Sequence, residues 1–122
     1  MRRLSLNVLL LVVILLSITG CVPKSLGPEI TKDGVFFSFY APTAKSVTIS
    51  GSFNAWDVHK DRMSGPDKSG VWSDVIPLPE GRYEYLFIVD GKWLPDPSVP
   101  EVDDGFGGKN SVLIVPEEHT GL

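Results

Sequence analysis

A chain of 122 residues with 11 basic and 15 acidic side chains, a net charge of −4, has room for one small domain with a modest core. Its single cysteine rules out a disulfide-stapled scaffold. Basic residues form no run, which excludes nucleic acid as a partner and excludes peripheral attraction to anionic lipid.

The first twenty residues read as a secretion signal and not as part of the fold. Arg2 and Arg3 are a basic start, Val8 to Leu16 is an uninterrupted apolar run, and Ser17-Ile18-Thr19-Gly20 brings small residues up to Cys21. That run is shorter than the roughly 17 residues a membrane-crossing helix needs. Ile18-Thr19-Gly20-Cys21 resembles a bacterial lipobox, which implies that Cys21 is acylated and becomes the first residue of the mature chain. The expected location is therefore the cell envelope, with the chain lipid-anchored to a bacterial membrane. Removing residues 1–20 leaves 102 residues, 9 basic against 15 acidic. Residues 21–31, with Pro23, Gly27 and Pro28, are expected to form a tether from the acylated cysteine. Residues 32–116 are expected to form the folded domain and 117–122 a polar tail.

Within that domain the pattern is β throughout. Val35, Phe37 and Phe39 alternate with Phe36, Ser38 and Tyr40 before Ala41-Pro42 ends the run. Lys45 to Ser50 alternates again, with Val47 and Ile49 expected inward. Val71 to Ile76 follows a loop rich in Gly, Pro, Asp and Ser, and places Trp72 among core residues. The longest run, Tyr83 to Val89, puts Tyr83, Tyr85, Phe87 and Val89 on one face and Leu86 and Ile88 on the other, as a mid-sheet strand would. Asp90-Gly91 then tolerates the positive φ of a tight primed turn, so Lys92 and Trp93 return antiparallel until Pro95 and Pro97 stop the ladder. Asn110 to Val115, rich in β-branched residues, closes the domain. No stretch after the signal keeps helical apolar spacing over three turns, and the order of strands indicates an all-β antiparallel sandwich of immunoglobulin-like size.

Two tryptophans fall after turn residues, Trp56 after Asn54 and Trp93 after Gly91, where exposure and burial in the core are both open from pattern alone. Phe106 lies among Gly105, Gly107 and Gly108, either as a plug on the core or as a clamp on a ligand. A sugar ring has apolar faces and a rim of hydroxyls, so flat aromatic platforms beside an amide such as Asn110 suit it. Lys92 and Lys109 are further candidate donors. Covering about 100 Å² on each of two indoles at about 25 cal/mol/Å² gives roughly 5 kcal/mol before association costs.

The segments GSFNAW, Gly51 to Trp56, PLPEGRYEYLFIVDGKW, Pro77 to Trp93, and DPSVP, Asp96 to Pro100, together resemble the glycogen-binding domains of family 48 of carbohydrate-binding modules. That family includes the domain on the β subunit of AMP-activated protein kinase and the early-set domains of isoamylases and branching enzymes. The resemblance spans about Gly34 to Val115. It implies an early-set immunoglobulin-like sandwich that binds α-1,4-glucan, as glycogen, starch or maltooligosaccharide, without catalysis. It further implies that Trp56 and Trp93 stack on glucose rings, that Asn110 bonds sugar hydroxyls, and that Phe106 inserts beside the glucan. Two positions depart from the pattern: Leu86 stands where kinase-associated members have a lysine, and Gly108 where they have a threonine. Leu86 is thus an apolar contributor to the expected site.

Other chemistry is weakly represented. No Gly-x-Ser-x-Gly elbow, phosphate loop or zinc helix occurs, and the carboxylates Asp103, Asp104, Glu80 and Glu84 sit at turn or strand positions with nothing to fix an acid–base pair. The expectation is therefore a non-enzyme with no cofactor and no metal. A glucan captured here would be presented to a separate glucan-active enzyme. The alternative is an envelope protein–protein interaction module that uses the same aromatic surface.

Overall fold

The structure, a computed structural model, describes residues 27–118. The expected signal segment, Cys21, all but the end of the tether and the last four residues of the tail lie outside the described residues.

Among the described residues nine strands follow in chain order: β1 (Glu29–Thr31), β2 (Gly34–Tyr40), β3 (Val47–Gly51), β4 (Asp61–Arg62), β5 (Val71–Ile76), β6 (Gly81–Val89), β7 (Lys92–Leu94), β8 (Glu101–Asp103) and β9 (Lys109–Val115). Every pairing is antiparallel. One sheet runs β1-β2-β5, the other β4-β3-β6-β9-β8, with β7 beside the far half of β6. The fold is all-β and immunoglobulin-like, as the alternation of the sequence predicts.

The two sheets bury their alternating faces against each other. Val35, Phe37, Trp72 and Ile76 come from the first, and Val47, Ile49, Tyr85, Phe87, Leu113 and Val115 from the second. Phe37 meets Tyr85 edge-on with centroids 5.2 Å apart, and Phe39 packs on Phe87 at 4.6 Å. These contacts fix which face of β6 is inward, so Leu86 and Ile88 are turned to the outer face by the period of two. Trp72 is buried as expected, and its indole N–H donates to the Ala41 carbonyl at 2.9 Å.

Where strand limits differ from expectation, hydrogen bonding explains the difference. β3 begins at Val47 and not at Lys45, because the N–H groups of Lys45 and Ser46 both donate to the Asp90 carboxylate, at 2.9 and 3.0 Å. The last residues expected in the tether, Glu29–Thr31, instead pair with Gly34–Phe36 as an edge strand. The Asp90-Gly91 turn is as expected, with φ of 48° and 84° at its central residues, the positive values that match the twist of a hairpin.

Candidate functional site

Trp56 is set by the turn that follows β3. Ser52–Asn54 form a single 3₁₀ turn, then Ala55 and Trp56 both adopt left-handed backbone, with φ of 56° and 59°. The Trp56 N–H closes the turn on the Gly51 carbonyl at 2.9 Å. Gly51 is required by space, since a Cβ there would lie 2.5 Å from the Glu84 carbonyl oxygen. Asn54 is buried and holds the turn from inside. Its Oδ1 accepts the Gly51 N–H at 3.0 Å, while Nδ2 donates to the Ile49 carbonyl at 3.1 Å and to Asp61 Oδ2 at 2.7 Å.

Trp93 sits at the centre of β7, opposite Ile88, and is 47% exposed. Behind it the chain is pinned by a buried network on Asp96. Tyr85 Oη donates to Asp96 Oδ2 at 2.7 Å, the Asp96 N–H donates to Ser111 Oγ at 2.7 Å, and the Ser98 N–H donates to Asp96 Oδ1 at 2.8 Å. Burial, followed by the charge of Asp96, pushes the Tyr85 hydroxyl far above its ordinary range, so it stays a donor.

Phe106 tops the loop between β8 and β9. Asp104 Oδ1 accepts from the N–H groups of Phe106 and Gly108, at 2.7 and 2.9 Å, and the Asp104 N–H donates to the Gly108 carbonyl. Gly105 and Gly107, at φ of 83° and 89°, allow the tight path. Phe106 is 96% exposed, which answers the question the sequence left open: its ring does not plug the core.

Asn110, at the start of β9, donates through Nδ2 to Glu84 Oε1 at 3.3 Å. Glu84 also accepts from Arg82 Nη1 at 3.0 Å, and these two bonds, that from Arg82 first, hold its carboxyl below the ordinary range. The ionised Glu84 thereby fixes the Asn110 amide by its nitrogen.

Trp56, Leu86, Trp93, Phe106 and Asn110, the five side chains that the resemblance brings to the expected site, line one solvent-open groove of ≈ 710 Å³. Pro95, Glu101, Asp104, Gly108 and Lys109 complete its wall; Lys92 does not reach it. A larger hollow, ≈ 810 Å³, opens where β2 starts and β9 ends, but carries no aromatic ring. The groove has the size and the mix of apolar walls and few polar groups that small-ligand sites show. Trp56 and Trp93 both line it, the shared groove that two platforms for a planar-faced ligand require.

A family model described as the glycogen recognition site of AMP-activated protein kinase matches residues 35–120. The chain belongs to that glycogen-recognition family. It is 37% identical over 71 residues to 5'-AMP-activated protein kinase subunit beta-1 of Sus scrofa, covering 58% of this chain and 55% of the relative. It is 38% identical over 71 residues to subunit beta-2 of Homo sapiens, covering 58% of this chain and 25% of the relative. It is 38% identical over 73 residues to Protein PTST homolog 2, chloroplastic, of Arabidopsis thaliana, covering 60% of this chain and 13% of the relative. The match thus spans about half of the porcine relative and a quarter or less of the other two.

Within this glycogen-recognition domain, sequence reasoning missed the residues that position the platforms: Asn54, Asp96 and Asp104. A signal was present for each. Asn and Asp beside turns bond local backbone N–H groups with their short side chains, and all three stand beside a platform or its loop. Asp104, noted among the carboxylates, is occupied in holding the Phe106 loop.

Proposed function

We propose that this domain binds α-1,4-glucan in the groove between Trp56 and Trp93, without catalysis, as a lipoprotein anchored through Cys21 in the cell envelope. The observation that carries the reading is the shared groove: two indoles and the exposed Phe106 ring around the Asn110 amide and Lys109. Indole faces cover the C–H faces of glucose rings, while the Asn110 carbonyl and the Lys109 ammonium meet hydroxyls on the rim. Leu86, in the floor, adds apolar contact but no hydrogen bond. A site with two stacking platforms and few polar partners binds a single chain weakly, with Kd of roughly 10 μM to 1 mM. Many copies anchored in one membrane would raise the effective affinity for a branched polysaccharide. A separate glucan-active enzyme at the envelope is the partner such capture would serve.

The test is electrophoresis of a chain starting at Val22, which keeps every strand and core residue among the described residues, through native gels with and without glycogen or amylopectin. Retardation by polysaccharide is expected for the natural chain and its loss for Trp56→Ala and Trp93→Ala. A folded domain that no polysaccharide retards would favour the second reading, a protein partner docked on the same surface, which the bare Phe106 and the apolar Leu86 also suit. Anchoring is checked by labelled palmitate, expected on the full chain in bacteria and absent from Cys21→Ala.

A further inference from the structure

Trp93 has a second side. Across the outer face of the larger sheet, Arg62 on β4 is directly opposite Thr48 on β3, Thr48 is opposite Ile88 on β6, and Ile88 is opposite Trp93 on β7. Directly opposite residues of antiparallel strands share a face, so these four side chains form one row across four strands. At about 4.8 Å per strand the row is roughly 14 Å long. It floors and flanks a second groove, ≈ 440 Å³, whose walls also include Ser46, Val58 and His59. Ile88 is two residues beyond Leu86 on the same strand face, so this groove begins where the floor of the first one ends, with Trp93 common to both.

The chemistry repeats that of the first groove: an indole and an aliphatic floor for apolar ring faces, hydroxyl, imidazole and guanidinium groups for a hydroxylated rim. Arg62 is exposed, and the one ion pair among the described residues joins Arg82 to Glu84, so the Arg62 guanidinium keeps its donors for a ligand. Thr48 is 7% exposed and its side chain is part of the groove surface.

We propose that a glucan chain seated between Trp56 and Trp93 continues over Trp93 into this second groove, where Arg62 and Thr48 bond its further sugar units. The inference rests on the glucan reading above and deepens it: the site is an extended cleft that selects chain length. Short oligosaccharides fill the first groove alone, and longer ones reach Arg62.

The experiment is calorimetric titration of maltotriose and maltoheptaose into the full chain, held in a detergent without a sugar headgroup, for the natural sequence, Arg62→Ala and Thr48→Val. The natural chain is expected to bind the heptasaccharide more tightly than the trisaccharide. Arg62→Ala should weaken heptasaccharide binding by about tenfold, the size of a charge-assisted hydrogen bond, and leave the trisaccharide unchanged. Thr48→Val should act the same way with a smaller factor. If neither oligosaccharide nor glycogen binds the natural chain, the glucan reading fails and this inference with it. If both sugars bind and Arg62→Ala changes neither, or changes both equally, the second groove is no part of the path while the first remains.

Discussion

Left-handed backbone costs a side chain with a Cβ about 1 to 2 kcal/mol, and Trp56 stands in it next to Ala55, which does the same. Bulky residues there are held only where the surroundings over-determine them, and such strain gathers at binding sites. The strain at Trp56 separates two effects that one substitution would merge. Trp56→Ala removes the indole and keeps the backbone penalty, whereas Trp56→Gly removes both. Both variants should lose retention by glycogen, and Trp56→Gly should unfold in urea about 1 kcal/mol later than Trp56→Ala. Equal stabilities would mean that the turn relaxes when the ring is gone. Nothing in the sequence announces this conformation, because it arises from the bond of the Trp56 N–H to Gly51 and not from any preference of tryptophan.

The elements that carry the platforms are anchored by buried polar side chains, and their removal is costly because the partners stay buried. Asn54→Ala would strand the buried Gly51 N–H and remove one bond each from the Ile49 carbonyl and Asp61, a loss of about 2 to 3 kcal/mol in urea unfolding, with weaker glucan retention as the Trp56 turn loosens. Tyr85→Phe deletes one hydroxyl and leaves an Asp96 oxygen unbonded in the interior. It should cost about 1 to 3 kcal/mol by the same measurement, while the far-ultraviolet circular dichroism stays that of a β protein. Legibility follows the same division between burial and bonding. β2, β5 and β6 read clearly because their alternation answers to the core, and the β6–β7 hairpin because Asp-Gly admits the turn. β1, β4 and β8 are two or three residues long and mostly exposed, so no apolar period marks them. The five groove residues were legible from motifs. Their convergence depends on β7 folding back beside β6 and on the Asp104 loop, which are matters of pairing and of side-chain-to-backbone bonds.

For the whole molecule, an open sandwich must guard its sheet edges, and β5 is an edge of the smaller sheet. On its free side the N–H and carbonyl of Ser73 are taken by Ser64, and two residues further on the Val75 N–H is capped by Asp74 Oδ1 at 2.9 Å. Asp74 shares the inward face of β5 with Trp72 and Ile76, so the guard is a carboxylate drawn partly into the domain. Burial raises its pKa above 3.8, the Val75 hydrogen bond opposes that rise, and the charge of Asp61 adds to it. Because the folded value lies above the unfolded one, the stability linked to this group is fully present below 3.8 and lost as pH climbs through the folded value. The ionised Asp74 is therefore a cost at neutral pH. Asp74→Asn keeps an acceptor for the Val75 N–H without the charge, so it should melt higher than the natural domain at neutral pH, with the gain fading to nothing below 3.8. Glu84 behaves oppositely. Its value is held below 4.5, so its contribution is present above 4.5 and lost as pH falls through the folded value, and Glu84→Gln should melt lower at neutral pH only. Asp74→Ala, by contrast, uncaps the edge. It should associate with rising concentration in sedimentation experiments where Asp74→Asn stays monomeric, and equal behaviour of the two would remove Asp74 from the role of edge guard.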